Sequence, residues 1–201
     1  IATYDFSTMY TTLPHSDMKQ RLRALIVRLF ARRLESSRKR FLLVREDGSS
    51  EWLNSRRTVQ PRREFIFSAV SLPAMIDTLI ERMFVEFGGV VYRQKVGVPM
   101  GTNCAGFLAN LYCFTYELEF MQSLVDRGQF DLALSFQRCQ RYIDDLLCLD
   151  VARFEEFMYI PAGGGCEIYP RQFLSLSLAD SGSRVPYMDI ALCFSRSRGL
   201  Y

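Results

Sequence analysis

Residues 136–149 read Phe136-Gln137-Arg138-Cys139-Gln140-Arg141-Tyr142-Ile143-Asp144-Asp145-Leu146-Leu147-Cys148-Leu149, two apolar-rich strands, 136–143 and 146–149, that meet at adjacent aspartates. A single aspartate at such a hairpin tip is an ordinary turn former. A pair is different. Neighbouring like charges repel, and the flanking Tyr142-Ile143 and Leu146-Leu147 draw them out of water, so the arrangement costs energy unless a cation compensates. Mg²⁺ is the natural compensator, a hard ion that takes one or two carboxylates and completes its octahedron with water and substrate phosphates. A zinc site is not expected, because His15 is the only histidine and none of the six cysteines stands in C-x-x-C spacing.

A further carboxylate at a strand end lies at the start of the sequence. Residues 1–6 alternate, are rich in β-formers and bring Asp5 to the end of the strand. Two-metal phosphoryl or nucleotidyl transfer holds its cations about 3.5–4 Å apart and needs aspartates from neighbouring strands. Asp5 and the Asp144-Asp145 pair have the residue types for such a site.

The remaining elements follow from periodicity and turn chemistry. Met18, Leu22, Leu25, Ile26, Leu29 and Phe30 recur at helical spacing behind Ser16 or Asp17 as N-cap. Residues 41–44 and 52–53 read as a hairpin turning at Asp47-Gly48, flanked by arginines, in a protruding basic insertion over about 36–66. A helix is expected over 71–87, ended by Gly88-Gly89, and a short strand over 90–94. The loop 96–101 then opens a long helix over 103–125, whose first turn, Cys104-Ala105-Gly106, is so small that something must approach it closely. A helix over 151–159 and strands over 173–178 and 187–194, separated by a turn at 181–183, complete the chain. Gly163-Gly164-Gly165 lacks the Gly-Lys-Ser/Thr of a phosphate loop and reads as a turn. This order predicts an α+β fold, an antiparallel sheet with helices on one face.

Composition bounds the function. With 201 residues, 49% hydrophobic and 23% charged, the chain excludes disorder and has room for one domain with a small appendage. No apolar run reaches the length of a membrane span, so no membrane partner is expected. The cysteines read as small buried hydrophobes in a reducing compartment. Net charge is only +3, yet residues 19–63 hold 14 Lys or Arg against four acids, leaving about −7 elsewhere. A basic part of this kind suits a polyanion such as nucleic acid. The sequence opens at Ile1 with no charged-then-apolar leader and reads as the interior of a longer product.

Three motifs in order carry a resemblance. Tyr142-Ile143-Asp144-Asp145 resembles the Y-x-D-D motif of reverse transcriptases, and Asp5-Phe6-Ser7-Thr8-Met9-Tyr10 resembles their first palm motif. Tyr92-Arg93-Gln94-Lys95-Val96-Gly97-Val98-Pro99-Met100-Gly101-Thr102-Asn103-Cys104-Ala105 resembles the intervening motif, most closely in Penelope-like retroelements, relatives of the telomerase catalytic subunit. Further on, Ile168-Tyr169-Pro170 and Pro186-Tyr187-Met188-Asp189-Ile190 resemble the later palm segment and the primer-side motif.

The resemblance implies a polymerase palm, RRM-like, with a partial fingers insertion and no thumb, acting as an RNA-directed DNA polymerase that adds dNTPs to a primer 3′-hydroxyl. It implies Asp5 and Asp144 as ligands of two Mg²⁺ ions, with Mn²⁺ as the alternative metal, Asp145 as an accompanying carboxylate and Phe6 adding its backbone carbonyl. Tyr10 would lie under the incoming sugar, and Pro99, Met100 and Gly101 beside the nucleotide and templating base. Tyr142 would sit near the primer terminus, with Arg93 and Gln94 on the approach to template and primer. RNA template, DNA primer and dNTPs are the implied partners, and the implied location is intracellular and nuclear.

Three departures stand out. Gly106 replaces a proline usual in the subfamily, no lysine follows Lys95 to protonate departing pyrophosphate, leaving only Arg171 and Arg184 as weak substitutes, and the earlier finger motifs are absent. They favour, as the alternative, a decayed or domesticated palm that binds nucleic acid without polymerising. A viral RNA-dependent RNA polymerase fits less well, because such enzymes place Gly before the paired aspartates and an acid where Tyr10 stands.

Overall fold

A computed structural model describes residues 1–151, 154–158, 168–195 and 199–200. In chain order its elements are β1 (Ala2–Phe6), α1 (Met9–Thr12), α2 (His15–Ser37), β2 (Phe41–Arg45), β3 (Ser50–Leu53), β4 (Glu64–Phe67), α3 (Ser71–Glu81), β5 (Phe84–Phe87), β6 (Val90–Arg93), α4 (Ala105–Asp126), α5 (Phe130–Phe136), β7 (Cys139–Tyr142), β8 (Asp145–Cys148), β9 (Leu176–Ser181), β10 (Arg184–Tyr187), β11 (Ile190–Ser195) and β12 (Gly199–Leu200). The fold is mixed α+β with antiparallel sheets. Among the described residues no helix is long and apolar enough to cross a membrane.

The chain divides into two compact units, one of Ile1–Pro14 with the residues from Val96 onward, the other His15–Lys95. The first is built on a four-stranded antiparallel sheet in the order β7-β8-β1-β9. Residues directly opposite in such a sheet share a face. Arg141, Leu146, Tyr4 and Leu178 therefore lie in one row, and Tyr142, Asp145, Asp5 and Ser177 in the next row on the other face. The first face is the packed one: Tyr4 meets Phe154 at 4.9 Å and Phe6 meets Tyr169 edge-on at 5.0 Å. Arg141 reaches Glu117 on α4 from that face. Helix α4 forms because Leu108, Tyr112, Tyr116, Phe120 and Leu124 recur every four residues, and all five are buried.

The second unit pairs α2 with α3 through Lys19–Glu81 at 2.7 Å and Arg23–Asp77, and holds the sheet β3-β2-β4 and the ribbon β5-β6. Leu43, at the centre of the three-stranded sheet, is fully buried, and Trp52 packs edge-on against Phe30 at 4.7 Å. The expected Asp47-Gly48 hairpin is present, with Gly48 at φ +82° and Asp47 accepting from Ser49 N–H at 2.8 Å. It gains a third strand, β4, and the compact unit around it is wider than the expected 36–66 insertion. That unit carries 17 Lys or Arg against nine Asp or Glu, a net of +8, and the other carries −5.

Several expected elements differ. The helix expected over 71–87 ends at Glu81, and Phe84–Phe87 is a strand, because Gly88 and Gly89, at φ +59° and +76°, make the tight two-residue turn that joins it to β6. The strand expected from 136 starts at Cys139. Phe136 instead closes the unforeseen helix α5, where its ring packs on Phe120 at 4.8 Å, so tertiary packing overrides a short apolar run. Helix α2 begins at His15, which puts Ser16 and Asp17 inside its first turn; Asp17 pairs with Arg21 rather than capping.

The described part of 151–159 holds only a 3₁₀ turn, Phe154–Glu156. Strand β9 begins at Leu176 because Phe173 and Leu174 donate back to Pro170 O in a turn. The strand expected over 187–194 is two strands, β10 and β11, folded at Met188, whose φ is +53°. Gly163-Gly164-Gly165 lies outside the described residues. Cys113 and Cys148 are buried as expected, and Cys104, Cys139 and Cys193 are half-buried.

Candidate active site

The β7–β8 hairpin closes with Tyr142 opposite Asp145, so its turn is Ile143-Asp144. The two aspartates therefore do not share the tip: Asp144 stands in the turn, and Asp145 opens β8 directly opposite Asp5 on β1. Phe6 N–H donates to Asp144 O at 3.1 Å, which ties the turn to the end of β1. Three carboxylates from two distant stretches of sequence thus meet at one end of the sheet. Ile143 takes φ +55°, a left-handed conformation that costs a β-branched residue about 1–3 kcal/mol and persists where its surroundings impose it.

The electrostatics record the crowding. Desolvation, and then the charge of Asp144, raise the Asp5 carboxyl above its ordinary pKa. Asp145 is raised by desolvation, then by Asp144 and Asp5. Tyr10 is raised by desolvation, then by Asp144, and Tyr187 on β10 by desolvation, then by Asp145. Among the described residues no basic side chain offsets the shift at Asp5 or Asp145.

Tyr10 lies on α1, immediately after β1. The loop beginning at Val96 is stitched to that turn by Gly97 N–H to Leu13 O and Val98 N–H to Tyr10 O, both 2.7 Å. Gly97 is required there: its φ is +78°, and a Cβ would lie 2.3 Å from Tyr10 O. The stitching leaves Pro99 half-buried and Met100 and Gly101 exposed, and Thr102 closes the turn on Pro99 O through N–H at 3.1 Å and Oγ1 at 2.6 Å. A Cβ on Gly106 would stand 3.6 Å from Tyr10 Oη and 3.8 Å from Ile143 Cδ1, ordinary contact distances, so these two side chains are its neighbours but do not require a residue as small as glycine there.

Of the expected site residues, Asp5, Phe6, Tyr10, Pro99, Met100, Gly101, Tyr142, Asp144 and Asp145 belong to one compact unit. Phe6 buries its ring and offers the site only its backbone, and Tyr142 is exposed. Arg93 and Gln94 belong to the other unit, where Arg93 Nε donates to Glu81 O at 2.8 Å and Gln94 N–H to Met83 O at 2.9 Å. Arg171 and Arg184 are exposed. Sequence reasoning passed over Arg141; its signal was a lone charge inside the strand that leads to the aspartates.

The donor set at Asp5 and Asp144 is all hard oxygen. Among the described residues no three Asp, Glu, His or Cys side chains are grouped to hold an ion together. Such oxygen donors are of the kind that a hard divalent cation such as Mg²⁺ takes, with water and phosphate completing its shell.

Two outcomes follow from this geometry. A raised carboxyl pKa means the native chain binds that proton more tightly than the unfolded chain, so the contribution of Asp5 and Asp145 to stability grows as pH falls and is least with both charged. Asp145→Asn is expected to raise Tm by about 1–3 °C in metal-free buffer at pH 7, a gain that shrinks on acidification and under millimolar Mg²⁺, read by thermal melts across pH. Gly97→Ala is expected to lower Tm by about 5 °C or more and to loosen the loop after Val96, seen as lost amide protection at Val98.

No protein-family model matches this sequence, and no curated protein and no solved structure matches it significantly.

Proposed function

We propose that this chain is the catalytic core of an RNA-directed DNA polymerase of a retroelement, built as a polymerase palm with a basic fingers-like unit. The observation that carries the reading is the meeting of Asp5 with Asp144 and Asp145 at one sheet end, in the motif order of reverse transcriptases. Beside them stand an aromatic side chain at Tyr10 and a loop, Pro99 to Gly101, whose backbone is open to a ligand.

Asp5 and Asp144 would hold the Mg²⁺ ions, with Asp145 adding negative charge at the same place. The metal pair supplies activation of the primer 3′-oxygen and stabilisation of the leaving pyrophosphate. The protein's own residues do the positioning. Tyr10, near enough to Asp144 to feel its charge, would lie under the incoming sugar and exclude a 2′-hydroxyl, which favours deoxynucleotides. The Gly97 and Val98 bonds keep the nucleotide-side loop in register with Tyr10, so the ring and loop form one rigid wall. Tyr142, exposed and opposite Asp145 across the hairpin, would meet the primer end.

Among the described residues Arg32, Arg38, Lys39 and Arg40, in the basic unit, have no acidic partner, which leaves their charge for template phosphates. A second reading, a relic that binds nucleic acid without extending it, is favoured by one observation. No lysine follows Lys95, and an arginine with its pKa above about 12 is a poor proton donor.

The test is Mg²⁺-dependent extension of a DNA primer on an RNA template by the full-length protein. Asp144→Asn is expected to reduce the rate by about 100-fold or more. Unchanged extension would overturn the metal assignment, whereas RNA affinity that survives chelator without any extension would select the relic. RNA binding is expected to weaken steeply with salt. Replacing Arg32, Arg38 and Lys39 by alanine should flatten the slope of log K against log salt by roughly one unit per lost phosphate contact, measured by filter binding.

A further inference from the structure

The guanidinium of Arg141 lies on the sheet face away from the carboxylates, its side chain only 7% exposed, and every one of its five N–H donors is engaged. Nε and Nη2 grip Glu117 as a fork, at 2.5 Å to Oε1 and 3.2 Å to Oε2. Nη1 donates to Asn110 Oδ1 at 2.5 Å, and Nη2 to Asn110 O at 3.1 Å. The fifth bond runs from Nη1 to Ile143 O at 2.9 Å. Glu117 is itself held by Tyr169 Oη at 2.8 Å.

That fifth bond has a consequence for the turn. Ile143 O belongs to the peptide plane that precedes Asp144, and Ile143 is held at φ +55°, where an isoleucine does not stay unaided. On its other side Asp144 is fixed by Phe6 N–H donating to its carbonyl. Both peptide planes of Asp144 are thus clamped, one by β1 and one by Arg141, and Arg141 is anchored in turn on α4 through Glu117 and Asn110.

We propose that Arg141 is a positioning residue: anchored on Glu117 and Asn110, it holds the Ile143 carbonyl and so aims the Asp144 carboxylate at the metal position. The inference rests on the polymerase reading for its kinetic test, and on metal binding alone for a second. Lysine at 141 would keep the charge, but its single ammonium cannot serve Glu117, Asn110 and Ile143 O in one planar fork. A salt bridge that merely stabilised the fold would change Tm and leave the metal response as it was.

The experiment compares wild type, Arg141→Lys, Ile143→Gly and the double variant. The first readout is the Mg²⁺ concentration that gives half-maximal primer extension, and the second is the Mg²⁺-induced rise in Tm without substrate. Arg141→Lys is expected to raise the half-maximal concentration by about 5-fold or more, a loss of about 1 kcal/mol in metal binding, with partial recovery at high Mg²⁺. Because glycine adopts a left-handed φ freely, the same Arg141→Lys change should cost less in the Ile143→Gly background.

Equal Mg²⁺ titrations for wild type and Arg141→Lys, or an identical penalty in both backgrounds, would overturn the inference while leaving the polymerase reading intact. A wild-type protein that neither binds Mg²⁺ nor extends a primer would remove both. If Arg141→Lys does not fold, Asn110→Ala carries the same comparison, since it frees only one acceptor of the nitrogen that holds Ile143 and should shift the Mg²⁺ requirement about 2-fold.

Discussion

The antiparallel pairing of β1 with β8 is the constraint on which the site depends. It sets Asp5 against Asp145, and the Phe6 to Asp144 hydrogen bond extends it by one residue to bring in the third carboxylate. Left to themselves these charges would separate, and the pKa values of Asp5 and Asp145, raised first by desolvation and then by their charged neighbours, register that opposition. What holds them is apolar packing on the opposite face, where Tyr4, Phe6 and Leu146 are buried against aromatic neighbours. Because strand residues alternate, one strand serves both purposes: β1 gives Tyr4 and Phe6 to the core and Asp5 to the other face.

Two further features load the same place. The turn at Ile143 is strained, and the loop at Gly97 lies so close to Tyr10 that no side chain fits. The turn is held by Arg141 and by Phe6 N–H, the loop by its backbone bonds to Leu13 O and Tyr10 O, and each adjoins a residue expected to face the substrate. Strain and self-repulsion gathered at one end of an otherwise well-packed sheet suit the cation site proposed here, since an ion bound there would relieve the repulsion.

Charge is partitioned between the units. The carboxylate-bearing unit is net negative, whereas His15–Lys95 is net positive and keeps several arginines without acidic partners. A small net charge over the whole chain conceals this. On the proposed reading the division would keep apart two tasks that interfere in one place: basic side chains beside Asp5 and Asp145 would satisfy them internally and compete with a metal, yet a polyanion needs basic side chains to hold it.

Much of the candidate site was legible in the residues themselves. Alternation put Asp5 at a strand end, and apolar runs set the Asp144-Asp145 pair in a hairpin; both are local patterns, readable because strand and turn preferences act over a few residues. What sequence could not supply were features made by contact between distant segments. The division of Asp144 from Asp145 between turn and strand depends on register, Gly106 finds Tyr10 and Ile143 only once α1 and the hairpin come together, and α5 replaces a strand because Phe136 has Phe120 to pack against. Arg141 is the clearest case. In the sequence it is one more charge beside the motif, and only the fold, by bringing Glu117, Asn110 and Ile143 O within reach of its five donors, turns it into the group that clamps the turn.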